Sequence, residues 1–278
     1  QTMFLMDTER GYNPKTWKRI CQELGWTSII IPEELGGSGF SYIELIALME
    51  QMGKYLLCAP YMSTVCLGVN ALLLGGNSQQ QKTHLPSIAS GKTTATLAYV
   101  ETDFLTNQSA PNTQTSVVKQ ADGFVLNGSK SFVLDGHTSN LLIVSARSPQ
   151  CSTTDGVSLF IIPANTCGLE CVYTPTLDQT RKQATITLNN VRVGVESLLG
   201  DWEQGGRILE QTLELASIAL AAEQVGGAQK CLDKSVDYAK TRVQFGRPIG
   251  SFQAIKHKCA DMMVLVESAR SAAYYAGW

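Results

Sequence analysis

Thr241-Arg242-Val243-Gln244-Phe245-Gly246-Arg247-Pro248-Ile249-Gly250-Ser251-Phe252-Gln253 joins two long helical patterns and places a guanidinium where they meet. Upstream, over residues 206–240, Leu209, Leu213, Ala216 and Leu220 form one apolar stripe. At 1.5 Å per residue, roughly 34 helical residues would span about 50 Å. Downstream, Ile255, Cys259, Met262, Val266, Ala269 and Ala273 alternate spacings of four and three, so a second long helix returns antiparallel to the first. Stripes of this kind are bundle core, Met262 and Met263 included. An open hairpin cannot bury both its faces, so further helices are expected from residues outside this sequence or from a neighbouring chain.

The elbow itself has two readings. Arg242 can hold a pair of phosphate oxygens bidentately, and Ser251 as an N-cap would aim the amides of Phe252 and Gln253 at an anion such as a pyrophosphate. Alternatively, Arg242 caps the last carbonyls of the preceding helix, and Gly246, Pro248 and Gly250 only make a turn.

Before the hairpin the period of the chain changes twice. Residues 1–92 read as helical. Residues 14–24 are amphipathic and end at Gly25, Ser41 and Glu44 form a capping box for a helix running to Met52, and helix-compatible residues occupy 63–74. Asn77 or Ser78 caps a short helix that ends near Pro86. From residue 93 to 200 short branched segments follow at 94–100, 115–119, 124–126, 131–134, 141–146, 157–162, 169–173 and 184–188. Asp122-Gly123, Asn127-Gly128 and Asn189-Asn190 supply hairpin turn signals. The expected fold class is α+β: an N-terminal helical domain (1–92), a middle antiparallel β barrel or sandwich (93–200), and the first part of a C-terminal helical bundle (201–278).

Composition narrows the partners. Of the 278 residues, 17% are charged and 44% apolar, against about a quarter charged in ordinary domains, so much of the surface is expected to lie against other subunits. A net charge of -2 leaves no footprint for nucleic acid or an anionic membrane surface, and the apolar runs fall far short of the roughly 20 residues of a membrane span. Eight cysteines without a CxxC pair, and three histidines, argue against a metal site and for a reducing cytoplasm. The chain starts at Gln1 with no signal-peptide pattern and reads as beginning inside a longer one.

The order of helices, β domain and long helices resembles the acyl-CoA dehydrogenase flavoprotein family, and motifs carry the resemblance along some 240 residues. Leu24-Gly25-Trp26 with Ile31-Pro32-Glu33-Glu34-Leu35-Gly36-Gly37-Ser38-Gly39 is similar to that family's N-terminal loop. Leu85-Pro86-Ser87-Ile88-Ala89-Ser90-Gly91 resembles its entry to the β domain, and Val125-Leu126-Asn127-Gly128-Ser129-Lys130 its hairpin. Arg242-Val243-Gln244-Phe245-Gly246, with Gln253 and Ala260-Asp261-Met262, resembles its most specific signature.

The resemblance implies FAD as cofactor, with Arg242, Gln244 and Gln253 reaching its pyrophosphate across a dimer interface. The flavin ring would rest on Tyr99, Val100 and Glu101 and on Phe132, Val133 and Leu134, although Phe132 can equally be ordinary strand core. It implies removal of two hydrogens from an acyl-CoA substrate, a carboxylate taking the α-proton and the β-hydrogen leaving as hydride to flavin. It further implies electron-transfer flavoprotein as acceptor and a homo- or heterotetramer.

Several positions depart from the family pattern. Its threonine-glutamate-proline and glycine-rich turn are replaced by Tyr99-Val100-Glu101-Thr102-Asp103-Phe104-Leu105, and Leu134 stands where a threonine commonly meets flavin N5. Most members carry the base late in the bundle, beyond the position of Trp278. An earlier alternative falls on Ala216, and the arginine near substrate on Ser217, neither of which can do that chemistry. Glu210, Glu214 and Glu223 share the helix and read as solvated or interface residues, Glu214 being the best placed for substrate contact. The catalytic base is thus unassigned. Three functions stay open: a catalytic acyl-CoA dehydrogenase; a non-catalytic subunit completing another chain's FAD site, as in the heteromeric enzymes of sterol side-chain breakdown; and another flavoenzyme on the same scaffold, such as a nitroalkane oxidase or two-component monooxygenase.

Overall fold

The computed structural model describes residues 2–101, 113–149 and 156–278, and within them the chain divides into two compact units. The first comprises residues 1–39 and 58–216. Its early helices are α1 (Thr2–Met6) and α2 (Pro14–Gln22). The Asn13 side chain caps α2 by accepting from Lys15 N at 2.8 Å, Pro14 fits the first turn, and Gly25 follows the helix in the left-handed region with φ +64°.

Residues Met62–Val69 form a π-helical stretch in which every residue is buried, continued by α4 (Asn70–Gly75). Helix α5 (Ser78–Ala89) starts on a reciprocal Asn77–Gln80 capping box. It does not end at Pro86, which lies inside it. A proline in the last turn forfeits one ladder bond, but Ser90 N still donates to Pro86 O at 3.1 Å, so the helix runs three residues past it to Ala89.

The sheet contains β1 (Ala95–Ala98), β2 (Ser116–Gln120), β3 (Gly123–Leu134), β4 (Leu141–Arg147), β5 (Val157–Pro163), β6 (Leu169–Thr174), β7 (Gln183–Gly194) and β8 (Leu198–Leu199). Their order is β6-β7-β3-β2-β4-β5-β8, with β1 beside β4. Most pairings are antiparallel, but β1 and β2 both meet β4 in parallel, and the path among the described residues does not close. Asp122-Gly123 does end a tight hairpin, with Gln120 opposite Gly123.

Asn127-Gly128 and Asn189-Asn190 do not make turns. Both lie inside long strands and face each other across the β3–β7 ladder, where the register shifts between Leu126 and Gly128. Asn190, at φ +51°, donates its amide to Asn127 Oδ1 at 2.7 Å, and Gly128 takes φ +150°. The same chemistry that favours turns here produces a bulge in β7, Asn189 and Asn190 together opposing Asn127. Beneath them Phe124 stacks on Trp202 at 5.2 Å and meets Phe160 edge-on at 5.0 Å, in a core that includes Leu126, Val133, Ile186 and Val191.

The second unit comprises residues 40–57 and 217–278. It holds α3 (Tyr42–Tyr55), most of α6 (Gly205–Thr241), a two-stranded ribbon β9 (Val243–Gln244) with β10 (Arg247–Pro248), and α7 (Gln253–Gly277). Ser41 and Glu44 form the expected capping box on α3. Helices α3 and α6 cross with backbones nearly touching: a Cβ on Gly53 would stand 1.9 Å from Glu223 O, and one on Gly226 1.8 Å from Glu50 O.

Next to that crossing Glu50 is buried and paired. Arg270 Nε donates to its Oε1 and Tyr274 OH to its Oε2, each at 3.0 Å, while Arg270 Nη2 donates to Gln229 Oε1 at 2.7 Å. The outer face of α7 is not core. Met263, Val264 and Leu265 are 58%, 64% and 69% exposed, against the expectation for Met263, because only one side of the hairpin is covered within this unit.

Candidate functional site

Two segments of the first unit were expected to carry a flat aromatic cofactor, and the structure ties them together. Strand β3 loses register with β7 between Lys130 and Val133. The bulged Phe132 sits in the left-handed region at φ +55° and is 40% exposed, so it is not strand core. A β-branched or bulky residue held there costs about 1–2 kcal/mol, and such strain gathers at functional sites. Val133 returns to the core at 2% exposure, and Leu134 O accepts from Thr96 Oγ1 at 2.6 Å.

The segment of Tyr99, Val100 and Glu101 lies beside this bulge. Ser131 N donates to Val100 O at 2.8 Å. Immediately adjacent, Lys130 Nζ meets Glu101 Oε1 at 2.5 Å, with the lysine side chain fully buried and the glutamate's one-tenth exposed. Lys130 also donates to Ser145 Oγ at 3.0 Å. Glu101 in turn accepts from Gln114 N at 2.7 Å, Thr115 N at 3.0 Å and Thr115 Oγ1 at 2.7 Å.

Electrostatics follow from this enclosure. Burial pulls the Lys130 ammonium down to about 8, with Glu101 opposing. For Glu101 burial pushes upward, but the Lys130 charge and the Thr115 hydrogen bonds outweigh it, leaving the carboxyl below its ordinary value. Burial raises the Tyr99 phenol. The Glu101 and Val133 side chains are thus turned inward, whereas Phe132 is partly exposed. The stretch Thr102-Asp103-Phe104-Leu105 lies outside the described residues.

Just past the bulge is a polar residue that sequence reasoning missed. Asp135, buried and also left-handed at φ +52°, accepts from Ser63 Oγ at 2.6 Å. Burial raises its carboxyl, with Ser63, Arg181 and His137 opposing. Its signal lay in the acid ending a strand of inward apolar residues.

The elbow belongs to the second unit. Arg242, Gln244 and Gln253 are all exposed, and among the described residues no carboxylate pairs with Arg242. The ribbon turns through Phe245 at φ +53° and Gly246 at φ +74°. Ile249 N donates to Arg242 O at 2.8 Å, which fixes the arginine backbone, and Arg247 lies over the Phe252 ring at 4.3 Å. Ser251 is not the N-cap: α7 starts at Gln253 with Phe252 in that place, and Phe252 N is used by Ile249 O at 3.1 Å. A short 3-10 turn over Ile249–Ser251 moves the cap by one residue. The Arg242 guanidinium and the side chains of Gln244 and Gln253 are thus the elbow's exposed side-chain donors.

Ala216 and Ser217, the α6 positions expected near substrate, carry no carboxylate. Ala216 is buried, Ser217 and Glu214 are exposed, and Ser217 opens onto a groove of about 550 Å³ between α6 and α7 lined by Ala221, Val225, Ala269, Ala273 and Ala276. Among the described residues no helix is long and apolar enough to cross a membrane, and no cluster of histidine, cysteine, aspartate and glutamate suits a metal ion.

Comparison with known proteins gives matches along almost the whole chain. Residues 4–92 match the acyl-CoA dehydrogenase N-terminal domain, 96–191 the middle domain and 203–278 the C-terminal domain. The chain is 36% identical over 282 residues to the probable acyl-CoA dehydrogenase YngJ of Bacillus subtilis, covering 98% of this chain and 72% of that protein. Butyryl-CoA dehydrogenase of Megasphaera elsdenii superposes with TM-score 0.90 at 29% identity, over 96% of this chain and 71% of that one. The ChsE4-ChsE5 complex of Mycobacterium tuberculosis gives 0.86 at 26% identity, over 99% and 71%.

Proposed function

This chain belongs to the acyl-CoA dehydrogenase family of FAD-dependent oxidoreductases acting on CH–CH bonds, and from that premise we propose that it introduces an α,β double bond into an acyl-CoA thioester. The observation carrying the reading is the partly exposed Phe132 bulge tied to residues 99–101, a strained edge on which a planar ring would rest. When bound, the flavin supplies the acceptor for the hydride leaving the β-carbon.

The chain's own residues have separable parts in this. Tyr99, Val100, Phe132 and Leu134 border the ring, with backbone groups in place of the hydroxyl that Leu134 lacks. Arg242 supplies charge to a pyrophosphate and Gln244 and Gln253 neutral donors that orient it, reaching the site of an adjacent subunit. The uncovered α7 face and the alanine-lined groove support a homo- or heterotetramer. Glu214 is exposed and available to an acyl-CoA, electron-transfer flavoprotein is the acceptor, and scattered thiols support a reducing, cytoplasmic setting. Ala216 and Ser217 cannot accept the α-proton, which goes to a carboxylate at another position.

A second reading is favoured by those same two residues and by Leu134: a non-catalytic subunit that completes the FAD site of a different chain. Anaerobic mixing of the full-length flavoprotein with acyl-CoA thioesters of graded chain length and with ring-bearing ones separates the two. Bleaching of the flavin by the protein purified alone supports the catalytic reading and ends the second. A yellow colour that persists with every thioester overturns the first.

A further inference from the structure

We propose that Glu101 and Lys130 form a positioning pair, whose buried ion pair sets the distance and angle between residues 99–101 and the bulge carrying Phe132. The inference rests on reading those segments as the flavin edge. Two neighbouring residues of β3 hold two neighbouring residues of the other segment: Lys130 holds Glu101 through side chains, and Ser131 holds Val100 through the backbone. One tie would fix a separation; two adjacent ties also fix the rotation.

The carboxylate does more than pair. It accepts from the amides of Gln114 and Thr115 and the Thr115 hydroxyl, so the approach to β2 is held to the same point, and Ser145 Oγ on β4 accepts a further hydrogen bond from Lys130. Four pieces of the sheet domain therefore converge on one charge pair directly beneath a strained residue. Its charges sum to zero, so the pair adds no net charge next to the ring edge.

A buried pair is poor evidence for stability, because apolar replacements of similar volume are often neutral or stabilising. What a neutral replacement cannot reproduce is this convergence of directed hydrogen bonds on one point. Neither residue touches the ring through its side chain, so both act through the segments they hold.

The test compares the full-length protein with E101Q/K130M, which buries no unpaired charge, and with E101D, which keeps the charge but shortens the reach. FAD affinity, the visible flavin spectrum, the flavin midpoint potential, thermal unfolding of the apoprotein and amide exchange at Ser131, Gln114 and Thr115 are measured. The double variant should unfold within a few degrees of wild type, bind FAD about tenfold more weakly, show an altered flavin spectrum and potential, and exchange the Ser131 amide at least tenfold faster. E101D should shift the same readouts in the same direction by less. Unchanged affinity, spectrum, potential and exchange in a folded double variant overturn the proposal; if that variant does not fold, unchanged values in E101D overturn it. A wild-type protein that takes up no FAD overturns the reading of the two segments along with it, whereas a loaded wild type beside an unaltered variant removes the positioning role alone.

Discussion

Gly226 and Gly227 are neighbours on α6, and replacing each by alanine should change stability in opposite directions. At 226 the new Cβ would stand 1.8 Å from Glu50 O and 2.8 Å from Lys54 N, both backbone atoms of α3. An ordinary carbon–oxygen contact is about 3.3 Å, so the two helices must separate by roughly 1.5 Å. A gap of even 0.5–1 Å forfeits about a quarter to a half of each dispersion contact along a crossing. Overpacking costs typically about 1–3 kcal/mol, and a backbone obstacle that no rotamer can relieve places G226A at about 3 kcal/mol or more. At 227 the nearest atom to the new Cβ is Gly53 O at 3.9 Å, an ordinary contact. There only the helix preference of alanine acts, a gain of about 0.8–1 kcal/mol. At about 2–4 °C per kcal/mol for a chain of this size, thermal unfolding of the full-length protein should fall by about 6–12 °C for G226A and rise by about 2–4 °C for G227A. Two shifts of the same sign, or a G226A melting point unchanged within a degree or two, would refute the close crossing of α3 and α6.

Other perturbations probe the site. R242A should weaken FAD binding by about 10- to 100-fold, the worth of about 1.5–3 kcal/mol for hydrogen bonds to a charged group, measured by flavin fluorescence titration; unchanged affinity removes Arg242 from the cofactor grip. The folded Lys130 releases its proton near pH 8, well below the roughly 10.4 of an unfolded chain. Between those values the unfolded state binds the extra proton, so this residue contributes a rise in stability of up to about 1.4 kcal/mol per pH unit, which denaturant titrations should find in wild type and not in E101Q/K130M. For Asp135, raised by burial, the sign reverses: the folded state holds its proton longer, so its contribution is lost as pH climbs through the carboxylate range, and D135N should flatten that slope. R270M leaves Glu50 buried with Tyr274 and should cost about 3 kcal/mol, read by urea unfolding, with E50Q/R270M recovering part of it.

The helices were legible because their signals are local. Asn13, Ser41 and Asn77 each cap a helix within three residues, and the 3.6-residue stripes of α6 and α7 need no tertiary knowledge. The sheet was less so: Asn127-Gly128 and Asn189-Asn190 carry residues that tolerate left-handed backbone, which a bulge requires as much as a turn, and only strand pairing decides between them. Ser251 was misplaced as N-cap because a 3-10 turn shifts the helix start by one residue. The candidate site was visible as segments but not as a mechanism of support. Lys130 stands in a strand whose neighbours face the core, and that placement demands a buried carboxylate, yet nothing local says that Glu101, 29 residues earlier, supplies it. The elbow arginine and FAD could both be named from the motif and the resemblance it carries, while the tie between residues 99–101 and the Phe132 bulge needed the strand pairing.

The π-helical stretch over Met62–Val69 has a bearing on how this chain is compared with its relatives. Each ring closed between residue i and i+5 contains one residue more than its α-helical equivalent, so the segment fits more chain into a given axial length. A relative with a regular α-helix there covers the same distance with fewer residues. A gap opened in the middle of that helix during alignment then records real geometry, and moving it out to the nearest loop would misnumber Ser63, the donor to Asp135.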